Sequence, residues 1–137
     1  MANALYGLGR ESFLSQNPAL DWDTNDIKVA LVKTAYSVNL STHQYVDPAL
    51  GANIVARSGN LAGKTVALGV ADATDVTITA VTGTEVSYIV IFKDTGVDTT
   101  SPLIAYIDTA TGLPFTPSGG DVTISWGNVA GTLIFKL

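Results

Sequence analysis

The chain has 137 residues, 47% of them hydrophobic and only 14% charged, with no cysteine and a formal net charge of -5. Disulfides, thiolate metal sites and cysteine nucleophiles are therefore excluded, and seven scattered Lys and Arg do not make the clustered basic surface that phosphate binding needs. One domain fits this length, and a surface so poor in charge suits a protein that neighbouring molecules partly cover.

No stretch approaches the ~18 consecutive apolar residues of a membrane span, and Met1 to Arg10 lacks the basic start and apolar run of a secretory signal. A protein made and used in aqueous surroundings is expected, with neither nucleic acid nor membrane as partner.

In chain order, residues 3 to 14 carry the one helical pattern. Asn3 is placed to cap it, and Leu5, Leu8 and Phe13 are spaced to share a face, although Gly7 and Gly9 each weaken a helix by up to ~1 kcal/mol. Pro18 ends any continuation and residues 21 to 26 form a polar turn. The reading is thus an N-terminal helix or arm over residues 1–25, followed by a single domain over 26–137.

From Asp26 the period changes to two. Ile27, Val29 and Leu31 alternate with Lys28 and Ala30, which predicts a strand with one buried face. Residues 34 to 51 are irregular. Strands are then expected over 54–57, 64–70, 75–81, 85–93 and 102–108, each bounded by Gly- or Asp-containing turns. Near the end, Val122, Ile124 and Trp126 alternate with Thr123 and Ser125. Leu133, Phe135 and Leu137 are expected inward, with Ile134 and Lys136 outward. About eight short strands at this spacing imply an all-β fold, an antiparallel β-sandwich or barrel of jelly-roll type.

Catalytic chemistry finds little to build on. His43 is the one histidine, and it lies in the irregular Ser41-Thr42-His43-Gln44-Tyr45 segment with no nucleophile-elbow pattern in the chain. Asp21-x-Asp23-x-Asn25 resembles the opening of a calcium loop. Its sixth position is Asp26 where the turn needs Gly, and its twelfth is Val32 where a bidentate Glu closes the sphere. Glu11 and Glu85 are the two glutamates, too few for a convincing paired-carboxylate site. A non-enzymatic protein without metal or cofactor is expected.

Aromatic residues remain. Trp126 and Phe135 read as core. Leu5, Tyr6, Phe13, Trp22, Tyr36 and Tyr45 lie in the N-terminal and irregular segments, outside the strand pattern. There they serve either as anchors of a protein interface or as a lid over the open end of the sheet.

Ala4-Leu5-Tyr6-x-x-Gly9-Arg10-Glu11-x-Phe13-Leu14, Asp26 to Val32, Val90 to Gly96, Pro102 to Asp108 and Ile124-x-Trp126 with Ile134-Phe135-x-Leu137 together resemble a group of small virion proteins of tailed bacteriophages, some of them thought to be head decoration or cement proteins. The resemblance runs over nearly the whole chain, and its motifs are strand and turn sequences. It implies a capsid decoration protein on the virion surface, made in the host cytoplasm. It would bind the major capsid protein and copies of itself, as a trimer or dimer, and hold adjacent capsid subunits through many weak contacts. The alternative is a tail or head-fibre module binding a host receptor or glycan, with Trp22 or Tyr45 stacked on a sugar ring.

Overall fold

The computed structural model describes residues 3–126 and 134–137. Two long strands rich in β-branched residues, β2 (Ile27–Lys33) and β7 (Val86–Lys93), pair along their whole length and form the middle of the largest sheet. Between them in sequence lie β3 (Ile54–Arg57), β4 (Thr65–Ala67), β5 (Val70–Asp72) and β6 (Val76–Ile78). After β7 come β8 (Leu103–Ile107), β9 (Val122–Ile124) and β10 (Phe135–Lys136), while β1 (Ala4–Leu5) precedes everything. Pairing is antiparallel throughout, in a five-stranded sheet ordered β1-β8-β7-β2-β3, a three-stranded β10-β5-β4 and a two-stranded β6-β9. The fold is all-β, as the alternation predicts.

The pattern predicts one buried face for β2, and the structure buries both. Ile27, Val29 and Leu31 join Ile89, Ile91, Ala71, Ile78, Ile124 and the two tryptophans in one cluster, so the two small sheets cover that face. On the other face Ala30 and Val32 meet Val90, Phe92, Tyr36, Val46 and Leu50 in a second cluster. The irregular segment is therefore a cover. It holds helical turns over Val46–Ala49 and Gly51–Asn53, with Val46 and Leu50 pointing into the core.

The N-terminus is not a detached arm. Ala4 and Leu5 pair with Tyr106 and Ala105 as an edge strand, Tyr6 is wholly buried, and Leu20 and Trp22 belong to the main core. The helix, α1, spans Gly7–Ser15, later than predicted, with Tyr6 at its N-cap and no side-chain cap. Asn3 instead ties β1 to the end of β8: its Oδ1 accepts from the Asp108 and Thr109 amides and its amide donates to the Thr109 carbonyl. Gly9 explains how α1 comes so close to the sheet, because a Cβ there would sit 2.4 Å from the Leu103 carbonyl oxygen.

Two strand expectations change in the same way. Residues 64–70 read as one strand but contain the β4–β5 turn, Leu68-Gly69, with both residues at positive φ (50° and 78°). At the C-terminal end Ile134 and Phe135 both pack on the core while Leu137 is half-exposed, and Leu133 lies outside the described residues. In each case the segment is too short, and too near an edge, for strict alternation to decide burial.

Candidate functional site

His43, Glu85 and several aspartates, the groups with the chemistry for catalysis, are engaged structurally, whereas Asp72 Oδ1 is buried without a hydrogen-bond partner among the described residues. His43 closes a loop: Asn39 Oδ1 accepts from the Ser41 and Thr42 amides, and His43 Nδ1 accepts from the Asn39 amide at 3.2 Å. Because a backbone amide can only donate, Nδ1 is unprotonated and the ring proton sits on Nε2. Tyr36 Oη therefore donates to Nδ1 (2.8 Å) and accepts from Tyr6 Oη (2.9 Å). Burial holds the His43 pKa below its ordinary value and pushes both tyrosines up. Tyr36, Tyr88 and Tyr106 pack ring to ring, with Tyr88 and Tyr106 at 5.3 Å. This chain of hydroxyls is a satisfied polar network beneath the irregular cover.

Asp75, Asp94 and Asp98 behave similarly. Asp94 meets the Lys28 ammonium at 2.5 Å, and Asp98 meets the Arg57 guanidinium through two bonds of 2.6 and 2.7 Å; in both cases the bond to the cation lowers the carboxyl pKa. Asp75 Oδ1 accepts from the Trp126 amide, and Glu85 accepts from the Thr34 hydroxyl. In the calcium-like stretch Asn25 Oδ1 is occupied by the Asp21 amide, and Lys64 donates to the Asn25 carbonyl oxygen. The hydrogen bond between the exposed Asp21 and Asp23 carboxyls lowers the pKa of the first and raises that of the second. Among the described residues no group of three or more acidic, His or Cys side chains gathers as a metal site, and no helix is long and apolar enough to cross a membrane.

The six residues singled out for an interface separate into two sets. Tyr6, Trp22 and Tyr36 are buried in the protein's own core, so in this fold they cannot anchor a partner. The Trp22 ring meets Phe135 edge-on at 5.1 Å and its Nε1 donates to the Asp72 carbonyl, which leaves no free face for a sugar. Leu5, Phe13 and Tyr45 remain half-exposed: Leu5 in edge strand β1, Phe13 against Phe135 at 5.9 Å, and Tyr45 bridged to Pro102. What sequence reasoning missed are aliphatic residues on the surface. Leu68 is 97% exposed and Leu14 81%, with Val66, Val97 and Leu137 about half-exposed. Val66 and Leu137 line a groove of about 400 Å³ whose floor is Phe13, Leu20, Trp22 and Ala71. The one signal for the Leu68-Gly69 turn is Gly69 itself, a glycine in the middle of an expected strand.

No protein-family model matches the chain, and no curated protein is significantly similar to it.

Proposed function

We propose that this protein is a bacteriophage virion component that decorates the capsid and acts by docking rather than by chemistry. The observation that carries the reading is Leu14, a large aliphatic side chain left 81% exposed on α1 beside the half-buried Phe13. An isolated exposed leucine means little. On a chain with only 14% charged residues, next in sequence to a phenylalanine that lines the groove under Val66 and Leu137, it is the kind of apolar spot a neighbour covers. The phage-protein resemblance supplies the setting and the major capsid protein as the partner.

The helix is rigidly mounted, since Gly9 seats it on β8 and Tyr6 N–H donates to the Ile104 carbonyl at its start. An apolar side chain on a rigidly mounted helix loses little conformational entropy on docking, and many such contacts over a shell add up through multivalency. The glycan-binding alternative loses one of its two stacking candidates with the burial of Trp22.

In purified virions the protein should be present in molar amounts comparable with the major capsid protein, read by quantitative mass spectrometry, and Leu14→Glu should lower its occupancy on stripped shells without unfolding it. A handful of copies per particle, or unchanged occupancy for the variant, rejects the reading.

A further inference from the structure

The β4–β5 hairpin carries an open edge with unusual properties. Among the described strands β4 pairs only with β5, and its three residues Thr65, Val66 and Ala67 are all exposed. The register is Thr65 opposite Asp72, Val66 opposite Ala71 and Ala67 opposite Val70, closed by the two-residue turn Leu68-Gly69. In such a hairpin the residues flanking the turn exchange both hydrogen bonds, so the next pair, Val66 and Ala71, directs its backbone groups away from each other. The other side of the hairpin bears this out: the Ala71 carbonyl accepts from the Ile134 amide. By the same geometry the Val66 amide and carbonyl point outward from β4, where no described strand pairs with them.

Natural sheet edges are blunted by charges, prolines or bulges. Thr65, Val66 and Ala67 include no charge and no proline, and their pairing with β5 has no register break. The turn beside them places Leu68 at a φ of 50°, a backbone region where a leucine is disfavoured, and leaves its side chain 97% exposed. A residue held at such cost with almost nothing among the described residues to touch points to a contact outside the chain.

We infer that β4 is a self-pairing edge: two copies of this chain join β4 to β4 antiparallel about a twofold axis centred on Val66. The occupant follows from the edge itself. An odd-length strand whose middle residue carries the outward backbone groups is self-complementary, because each Val66 amide faces the other copy's Val66 carbonyl. Thr65 then stands opposite Ala67, and Leu68 opposite Lys64, whose aliphatic stem it covers. Lys64 already donates to the Asn25 carbonyl of its own chain, so its charge is held away from the axis. The two three-stranded sheets become one of six strands, and the two Val66 side chains cover each other over the neighbouring grooves. This pairing goes beyond the capsid role and does not depend on it. With two backbone hydrogen bonds and a small apolar contact the pair is weak, and mass action on a crowded surface favours it.

Sedimentation velocity over a wide concentration series tests it. Wild-type protein should move from monomer to dimer as concentration rises. Val66→Pro, which removes the outward amide without removing a hydrogen bond to β5, and Val66→Lys, which sets two ammonium groups across the axis, should both stay monomeric with unchanged circular dichroism. High salt should partly restore the Val66→Lys pair. The chain has no cysteine, so mild oxidation of Val66→Cys should yield a disulfide dimer, whereas Thr77→Cys, on the exposed face of β6, should not. A wild type that is monomeric throughout, or dimers that survive both substitutions, overturns the pairing. A monomeric wild type whose capsid binding fails in Val66→Pro overturns it too, and gives the edge to a strand of the capsid.

Discussion

The two faces of the five-stranded sheet are closed by opposite means. One is aliphatic: Ile27, Val29, Leu31, Ile89 and Ile91 lie under short regular strands and two tryptophans. The other is aromatic and hydroxylated: Tyr6, Tyr36 and Tyr106 lie with Val90 and Phe92 under a cover that is mostly irregular. A purely aliphatic face offers nothing to an unpaired backbone, so its cover satisfies its own hydrogen bonds, partly in β5, β6 and β9 and partly in the connecting stretches that carry Leu20, Trp22, Leu61 and Val81. A tyrosine face brings its own donors and acceptors. The irregular cover still pairs its backbone, through the Asn39 side chain, His43 Nδ1 and isolated bonds such as Val46 N–H to the Ser101 carbonyl.

The sharpest way to break the comparison is to remove what both faces share. Deleting residues 1–14 takes away β1, the buried Tyr6 and the Phe13 contact, and losses of ~3–5 kcal/mol for one large aromatic alone bring a domain of ordinary stability to its limit. The truncated chain should lack a cooperative thermal transition; a retained one would restore the view of the N-terminus as a separable arm. Next, Ile91→Ala opens a cavity on the aliphatic face, where the covering strands cannot collapse freely. A loss of about 2–5 kcal/mol in urea unfolding is expected.

Tyr6→Phe probes the other face more gently. It keeps the ring and deletes one hydroxyl, leaving Tyr36 Oη still bonded to His43, so about 1 kcal/mol should be lost by the same assay. A cost equal to that of Ile91→Ala would mean that the hydroxyl chain, not packing, holds the cover. Smallest is the pH effect of His43. Its pKa is lowered in the folded protein, so the unfolded chain binds the proton more readily. The His43 contribution is therefore complete above the ordinary histidine value of about 6.5 and declines as pH falls through it. Asp94 and Asp98, also lowered, lose their contribution only at more acid pH, below the ordinary carboxylate range. His43→Gln should flatten the stability profile near pH 6 and leave the acid limb unchanged.

Much of the aliphatic side was legible in sequence. β2 and β7 begin within a residue of where they are expected, because β-branched alternation is strong where a strand is long and central, and the short edge strand β3 matches its expected residues 54–57 between flanking turns. The interface residues were harder to read. Trp22 and Tyr36 lie outside any periodic pattern and Tyr6 lies off the Leu5, Leu8, Phe13 face of the expected helix, and periodicity is silent about which way an irregular segment faces. Leu68 was hidden for the opposite reason: it continued an apparent strand that in fact turns at Gly69.

From its order of residues alone the chain was bound to be an antiparallel β protein with no thiol chemistry, since period-two patterning and composition are local properties that every copy of the sequence carries. Which side chains met water was settled only when distant segments came together. Residues 34–53 folding over Ala30 and Val32 turned a half-buried sheet into a doubly covered one and took Tyr36 out of solvent, while the β4–β5 turn left Val66 and Leu68 on the outside. Burial depends on what lies across the fold, a distance no neighbour in sequence encodes.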